Sequence, residues 1–174
     1  FARADQLGYV ADLCKPKVWL SGERGFAMGN GQPALEAIPV KINMGPCTKK
    51  WTARFEELLE TPEAAEPVPV EQEHTALITF TTGSSGTPKG ADRSHRFLAA
   101  QHYAIDGCLP YEKSDLDLPV FPIFSLNNLA AGVTTILPAI NVAEPADNDA
   151  YVLYTQITGE NITTLTLNPS LLNG

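Results

Sequence analysis

The sequence predicts an α/β fold in which mostly parallel sheets are flanked by helices. Short runs rich in β-branched residues alternate along the chain with amphipathic helical patterns. Strands that are separated by helices pair in parallel through right-handed crossovers, so this alternation indicates a parallel sheet. The chain has 174 residues, of which 44% are apolar and 18% charged, which is enough to bury a substantial core.

Residues 1–61 predict a first α/β portion. Leu7, Val10 and Ala11 fall on one helical face, and Pro16 ends that helix. Pro39 cannot donate a hydrogen bond to a neighbouring strand, which favours an edge position for the strand around it. The elements predicted here are a helix at 2–13, a strand at 17–20, a glycine-rich loop at 22–31, a strand at 38–42 and a helix at 48–59.

The helix predicted at 48–59 leads into an acidic segment. Thr48 is a candidate cap for this helix, and its apolar residues at i, i+4, i+7 and i+8 predict a buried stripe formed by Trp51, Phe55, Leu58 and Leu59. Glutamates and prolines then cluster together at residues 62–74. Such a composition is typical of a solvated, semi-extended segment, so we expect an acidic, proline-rich connector here.

The third portion, residues 75–174, opens with a run of hydroxyl side chains and glycines. An apolar strand at 75–80 precedes this run, and Ser94 is a candidate cap for a helix that begins near His95. Glycines let backbone N–H groups approach a ligand, and a helix start favours anions. Lys89 adds a compact positive charge. The run therefore predicts a polyphosphate-binding loop, with the sequence Thr81-Thr82-Gly83-Ser84-Ser85-Gly86-Thr87-Pro88-Lys89-Gly90.

The run has two other possible interpretations, an ordinary loop and a Walker A loop. Ser/Thr/Gly clusters are commonly ordinary loops, but this run lies directly between apolar segments and is stiffened by Pro88. The Walker A pattern G-x-x-x-x-G-K-[ST] fits Gly83 and Lys89 only. Pro88 replaces its second glycine, and Gly90 replaces its magnesium-binding hydroxyl, so the Walker interpretation is disfavoured.

The run resembles the phosphate loop of the adenylate-forming (AMP-binding) superfamily, whose pattern is T/S-S/T-G-S-T-G-x-P-K-G. Every glycine, the proline and the lysine of that pattern are present. The resemblance implies that the chain is part of the large N-terminal domain of an adenylate-forming enzyme. It also implies a catalytic role for Lys89 and binding of the β- and γ-phosphates of ATP by Thr81, Thr82, Gly83, Ser84, Ser85, Gly86, Thr87 and Lys89.

The same resemblance implies a reaction. A small carboxylic acid, here a fatty acid, reacts with ATP to give an acyl-adenylate and pyrophosphate, and an acceptor such as coenzyme A then takes the acyl group. Mg²⁺ would assist with ligands outside this chain. Because members of the superfamily extend far beyond these motifs, we expect the chain to be an internal piece of a longer enzyme and to be inactive alone. A phosphotransferase using the same loop, or a non-catalytic interaction domain, are the alternatives.

The remaining elements continue the alternation. A segment from Phe121 to Asn128 resembles a second superfamily motif, near the entry of the acyl group, and implies that Phe124 and Asn127 line an acyl pocket. The elements predicted around it are a helix at 95–107, an extended segment at 116–124, a helix at 126–132, a strand at 133–137, a helix at 149–157, a strand at 162–167 and a helix beginning at 169.

Charge and residue usage exclude other classes of protein. The net charge of −8 disfavours nucleic acid as a partner, and no apolar run is long enough to span a membrane. The three histidines lack a third ligand at suitable spacing, so no metal site is predicted. Cys14, Cys47 and Cys108 are odd in number and share no C-x-x-C spacing. We expect them to be reduced and buried, as in a cytoplasmic protein.

Overall fold

The computed structural model describes residues 3–46, 51–61, 65–82, 86–121, 123–141, 149–167 and 169–172. The chain divides into two compact units, Phe1–Ser94 and His95–Gly174. Each unit contains a three-stranded parallel sheet with helices, which confirms the predicted α/β class. The predicted three-part division at residues 62–74 stays a prediction; the described residues 65–74 contain no helix or strand and are exposed.

The first unit has a parallel sheet of order β1-β2-β3 and a separate antiparallel pair, β4-β5. Its core lies where α1, α3 and the segment after α3 meet, with Ala11, Leu35 and Ile38 buried. The elements are α1 (Ala4–Cys14), β1 (Val18–Ser21), α2 (Glu23–Met28), α3 (Pro33–Glu36), β2 (Val40–Asn43), β3 (Ala53–Arg54), α4 (Phe55–Leu59), β4 (Thr75–Thr82) and β5 (Pro88–Ser94).

Several predictions for the first unit are wrong. The strand with Pro39 just before it is β2, the middle strand of its sheet rather than an edge. The predicted loop at 22–31 contains helix α2. The predicted helix at 48–59 is reduced to α4, because Ala53 and Arg54 pair with β2 instead. Its apolar stripe is not buried, and Thr48, its candidate cap, lies outside the described residues.

The second unit has a parallel sheet of order β7-β6-β8. Leu118, Val120 and Leu153 form its buried cluster, where β6 and the residue after it meet α7. The elements are α5 (His95–Cys108), β6 (Leu116–Pro119), α6 (Ile123–Ala131), β7 (Thr134–Thr135), α7 (Asp149–Gly159), β8 (Thr164–Thr166) and α8 (Pro169–Leu172).

Corrections in the second unit concern one boundary and the cysteines. The predicted extended segment at 116–124 ends early, because α6 already begins at Ile123, so Phe124 lies on a helix. Cys14 in the first unit and Cys108 in the second are exposed rather than buried, and Cys47 lies outside the described residues.

Among the helices of the described residues, none has the length and apolar character needed to cross a bilayer.

Candidate functional site

The predicted phosphate loop lies at the tip of an antiparallel hairpin. Strands β4 and β5, which we call the loop hairpin together with the residues between them, pair so that Thr81 faces Lys89 and Thr82 faces Pro88. Directly opposed residues of an antiparallel pair present their side chains on the same face of the sheet. The side chains of Thr81 and Lys89 therefore lie on the same face of the hairpin, and both residues are exposed.

Local sequence explains the shape of this hairpin. Gly86 has φ of 76°, a left-handed conformation that glycine adopts without strain. Gly90 lies beneath the ring of Phe80: a Cβ at Gly90 would stand 2.9 Å from Phe80 Cε1. Pro88 is buried at the start of β5, next to the exposed Lys89. The glycines and the proline thus fix the backbone, and the polar side chains remain available to a ligand.

The structure corrects the predicted relation between the loop and the following helix. Helix α5 does begin at His95, as predicted, but strand β5 separates it from the loop. The seven residues of β5 therefore follow the loop in the chain before the helix starts. The donors on the loop hairpin itself are backbone N–H groups, hydroxyls and Lys89.

Part of the predicted site lies outside the described residues. Gly83, Ser84 and Ser85 belong to this part, and the side chain of Thr82 does too. In the described part, Thr81, Gly86, Thr87 and Lys89 all lie on the loop hairpin and are exposed. A primary ammonium, two hydroxyls and a glycine backbone on one exposed hairpin suit an anionic, oxygen-rich ligand such as a polyphosphate.

The second unit contains an apolar cavity between α5 and α6. Its volume is about 390 Å³, and the residues that line it include Leu98, His102, Ile123, Phe124, Asn127 and Ala130. Phe124 and Asn127, the two residues predicted for an acyl pocket, are thus brought to one cavity. A volume of this order suits a small organic ligand.

A polar pair interrupts the apolar lining of this cavity. Asn127 Oδ1 lies 2.9 Å from His102 Nδ1, and because an amide oxygen only accepts, the ring nitrogen donates. Asn127 is 7% exposed, and its Nδ2 has no partner among the described residues. Sequence reasoning considered His102 only as a metal ligand; the spacing of α5 alone does not indicate that it faces Asn127.

A buried polar layer fixes the position of α6. Asn128 Nδ2 donates to Asp117 Oδ2 at 2.7 Å and lies 3.0 Å from Thr135 Oγ1, and Thr164 Oγ1 donates to Asp117 Oδ1 at 2.8 Å. Asp117 and Asn128 are fully buried. We call these four residues the Asp117 layer. Asp117 is the centre, because β7 and β8 place Thr135 and Thr164 directly beside it. A carboxylate inside an apolar strand was a signal of this layer in the sequence.

Tyr111 lies close to the same carboxylate. Burial raises the pKa of the Tyr111 phenol, the negative charge of Asp117 raises it further, and a hydrogen bond with Thr166 acts in the opposite direction. Tyr111 and Asp117 both line a second cavity of this unit, which has a volume of about 350 Å³. The phenol is therefore held in its neutral form at physiological pH.

Comparison with known proteins places the chain in a family. A family model described as AMP-binding enzyme matches residues 2–174. The chain belongs to the AMP-binding enzyme family. This membership confirms the resemblance that the loop sequence indicated.

Relatives of this AMP-binding chain include enzymes of two kinds. An olefin beta-lactone synthetase of Stenotrophomonas maltophilia (strain K279a) is 35% identical over 100 residues, which cover 58% of this chain and 18% of that protein. A long-chain-fatty-acid–CoA ligase of Thermus thermophilus is 34% identical over 132 residues, which cover 70% of this chain and 23% of that protein. The chain spans about a fifth of the length of these curated relatives.

A solved structure shares the fold of the AMP-binding chain. The long-chain-fatty-acid–CoA ligase from Archaeoglobus fulgidus aligns with a TM-score of 0.74 at 19% identity, over 99% of this chain and 34% of that chain. The predicted architecture, part of the large N-terminal domain of an adenylate-forming enzyme, is therefore confirmed. At this identity the likeness carries information about the fold alone.

Within the ranges that the structure describes, no three His, Cys, Asp or Glu side chains of the AMP-binding chain group as metal ligands. The oxygen donors that a hard cation such as Mg²⁺ prefers are represented near the loop by Thr81 and Thr87, which carry no charge. A magnesium ion at the loop would thus depend chiefly on the phosphates of a bound nucleotide.

Proposed function

We propose that this chain is part of an enzyme that activates a carboxylic acid with ATP by forming an acyl-adenylate. The observation that carries the proposal is the loop hairpin of an AMP-binding family member, in which Thr81 and Lys89 stand opposite each other on exposed backbone. A cation and hydroxyl groups on one face suit the β- and γ-phosphates of ATP, with Thr82, Gly83, Ser84, Ser85, Gly86 and Thr87 completing the contacts.

The reaction follows from charge. A carboxylate oxygen of the acid attacks the α-phosphorus, the bond from that phosphorus to the β-phosphate oxygen breaks, and pyrophosphate leaves with the electron pair. Lys89, aligned with Thr81 by the strand pairing, stabilises the negative charge that develops on the leaving group. Mg²⁺, when bound, would supply further positive charge to the phosphates. In this proposal Lys89 is a catalytic residue because it contacts the leaving group.

The acid is proposed to be a fatty acid whose chain enters the cavity between α5 and α6. The aliphatic side chains of Leu98, Ile123 and Ala130, together with the ring of Phe124, suit a hydrocarbon chain, which gains free energy on leaving water. His102 and Asn127 form the polar pair that such a chain would meet. Transfer of the acyl group to an acceptor such as coenzyme A would complete the reaction, in the cytoplasm.

The test is acid-dependent exchange of labelled pyrophosphate into ATP by the complete gene product, with AMP as the nucleotide product. Replacement of Lys89 by alanine is expected to lower the exchange rate about 10- to 150-fold, the loss of one charge-assisted hydrogen bond. The apparent affinity for the carboxylic acid should be nearly unchanged, because Lys89 is proposed to contact the phosphates of ATP and not the acid.

Lys113→Ala is the matched control, because Lys113 is an exposed lysine in the turn before β6. It is expected to leave exchange unchanged. An unchanged exchange rate in Lys89→Ala would refute the role of Lys89. Formation of ADP instead of AMP would indicate a phosphotransferase, and the absence of any nucleotide binding would indicate a non-catalytic interaction domain.

A further inference from the structure

Helix α1 contacts the loop hairpin through one buried polar side chain. Gln6 is 9% exposed, and its Nε2 donates to the backbone carbonyl oxygen of Gly86 at 3.0 Å. The two residues are 80 positions apart in the sequence, so this bond is a tertiary contact rather than a local turn. Gly86 lies three residues before Lys89, and its carbonyl therefore marks the point where the loop enters β5.

The orientation of the Gln6 amide follows from its partner. A carbonyl oxygen accepts hydrogen bonds and cannot donate them, so the amide nitrogen and not the amide oxygen must face Gly86. The amide oxygen, Oε1, is then buried without a hydrogen-bond partner among the described residues. A buried acceptor without a partner costs at least as much free energy as one ordinary hydrogen bond contributes. For stability alone, an apolar side chain of the same length would serve this position equally well or better.

Packing also holds helix α1 in place. Gly8, two residues after Gln6, lies so close to Gln32 that a Cβ there would stand 2.3 Å from Gln32 Oε1. Further along α1, Ala11 packs in the core with Leu35 and Ile38. Helix α1 is thus held against the rest of the first unit by packing. Gln6 links this helix to the loop through its hydrogen bond to Gly86.

We propose that Gln6 is a positioning residue for the loop hairpin. By holding the carbonyl of Gly86, it sets the backbone from which Thr87 and Lys89 project, and so fixes the distance of their donors from the phosphates of ATP. Its contribution lies in ligand binding rather than in stability, which explains a buried amide with one unpaired oxygen. This inference rests on the proposed function of the loop, and it adds a residue that the loop sequence does not contain.

The test compares Gln6→Met with the unchanged complete protein. Methionine keeps the length of the side chain and removes both polar atoms. The Michaelis constant for ATP in pyrophosphate exchange is expected to rise about two- to tenfold, the effect of one hydrogen bond, with the Michaelis constant for the acid unchanged. The melting temperature should stay the same or increase, because the unpaired oxygen is removed. If the role of Gln6 were purely structural, the melting temperature would fall and the Michaelis constant for ATP would stay unchanged.

A second measurement does not depend on activity. In Gln6→Met without ligand, the backbone amides of Gly86, Thr87 and Lys89 are expected to exchange hydrogen with solvent about two- to tenfold faster, for the same hydrogen bond. Leu13→Met is the control: it places the same side chain on α1, at a residue that is 59% exposed, and should change neither result. Gln6→Glu, which keeps the shape but cannot donate when ionised, should raise the constant for ATP further.

The outcomes separate the two proposals. Absence of pyrophosphate exchange in the unchanged protein contradicts the proposed function. The hydrogen-exchange rates of the loop amides then test the Gln6 contact by themselves. Unchanged amide exchange in a folded Gln6→Met protein overturns the positioning role, whatever the activity. Faster amide exchange with an unchanged Michaelis constant for ATP also overturns it, since the loop would then bind ATP without needing Gln6.

Discussion

At the scale of single residues, contacts made across the fold decide what a side chain does. Gly90 is part of the loop sequence, yet the reason for a glycine at this position is the ring of Phe80 on the neighbouring strand, which leaves no room for a Cβ atom. Asn127 is predicted from the sequence to line an acyl pocket; in the structure it lines the cavity between α5 and α6 and accepts a hydrogen bond from His102. In both cases the residue type was readable in the sequence and its partner was not.

Tyr111 gives a prediction about pH. Its pKa is raised in the folded chain by burial and by the charge of Asp117, whereas in the unfolded chain the phenol loses its proton near pH 10. Above that pH the unfolded state binds fewer protons than the folded state, so the free energy of unfolding falls as the pH rises. Tyr111→Phe is expected to lessen this fall.

Urea unfolding at about pH 8 and about pH 10.5, on either side of the start of phenol ionisation, measures the effect. Tyr154→Phe is the control, because Tyr154 is 63% exposed and its replacement should leave the alkaline fall in place. If both variants lose stability equally over this range, the environment described for Tyr111 is wrong.

Some residues of the candidate site can be predicted from the sequence and others cannot, for a physical reason. Thr81 and Lys89 belong to a short contiguous pattern, which a sequence displays directly. Gln6 lies 80 residues from its partner Gly86, and His102 lies 25 residues from Asn127. Such pairs are created by tertiary packing, and no spacing in one sequence indicates them.

At the scale of elements, the loop hairpin shows where local propensity misleads. The residues Lys89, Gly90, Ala91 and Asp92 have little intrinsic preference for a strand, so a loop leading directly into a helix was predicted. Pairing with the strongly β-forming segment of β4 overrides that weak preference. The predicted positions of the parallel strands β1, β2 and β6 are correct apart from their boundaries, because apolar residues cluster in these segments.

The Asp117 layer gives a prediction for the second sheet. Thr164→Val removes the hydroxyl that donates to Asp117 Oδ1 while keeping the shape of the side chain. The carboxylate is fully buried, so the lost bond is expected to lower the free energy of unfolding by about 1–3 kcal/mol. Denaturation with urea measures the change, and the slope against urea concentration should stay constant.

Thr134→Val is the matched control for this variant. Thr134 lies on β7, beside Leu116 in the register, and is exposed. The same substitution there should change stability by no more than about 0.5 kcal/mol. Equal effects at the two threonines would show that Asp117 does not depend on the hydroxyl of Thr164.

At the scale of the whole molecule, the chain matches about a fifth of the length of its curated relatives. Large apolar side chains are exposed in both units; the most exposed include Leu59, Val68, Tyr103, Leu129, Leu137 and Tyr151. These six side chains lie in separate parts of the chain, and single exposed apolar side chains of this kind are common on protein surfaces.

Residues 1–174 expressed alone are expected to give no acid-dependent exchange of pyrophosphate into ATP, because the chain matches only about a fifth of the length of its curated relatives. Circular dichroism would verify that the expressed chain is folded, and the complete gene product, assayed beside it, provides the positive control. Exchange by the isolated chain at a rate comparable with the complete protein would show that the site needs no further polypeptide.

The pairing of β4 with β5 also bears on how this site tolerates change in sequence. The register, rather than the residues at the tip, sets the spacing between Thr81 and Lys89. Extra residues inserted at the turn would lengthen it and leave that spacing intact. Deletion of one residue within β5, between Lys89 and the helix, would instead shift the lysine to the opposite face of the ribbon, away from the threonine. The arms and the turn therefore constrain the site separately: the arms set the spacing between Thr81 and Lys89, and the turn supplies the contacts proposed for the phosphates.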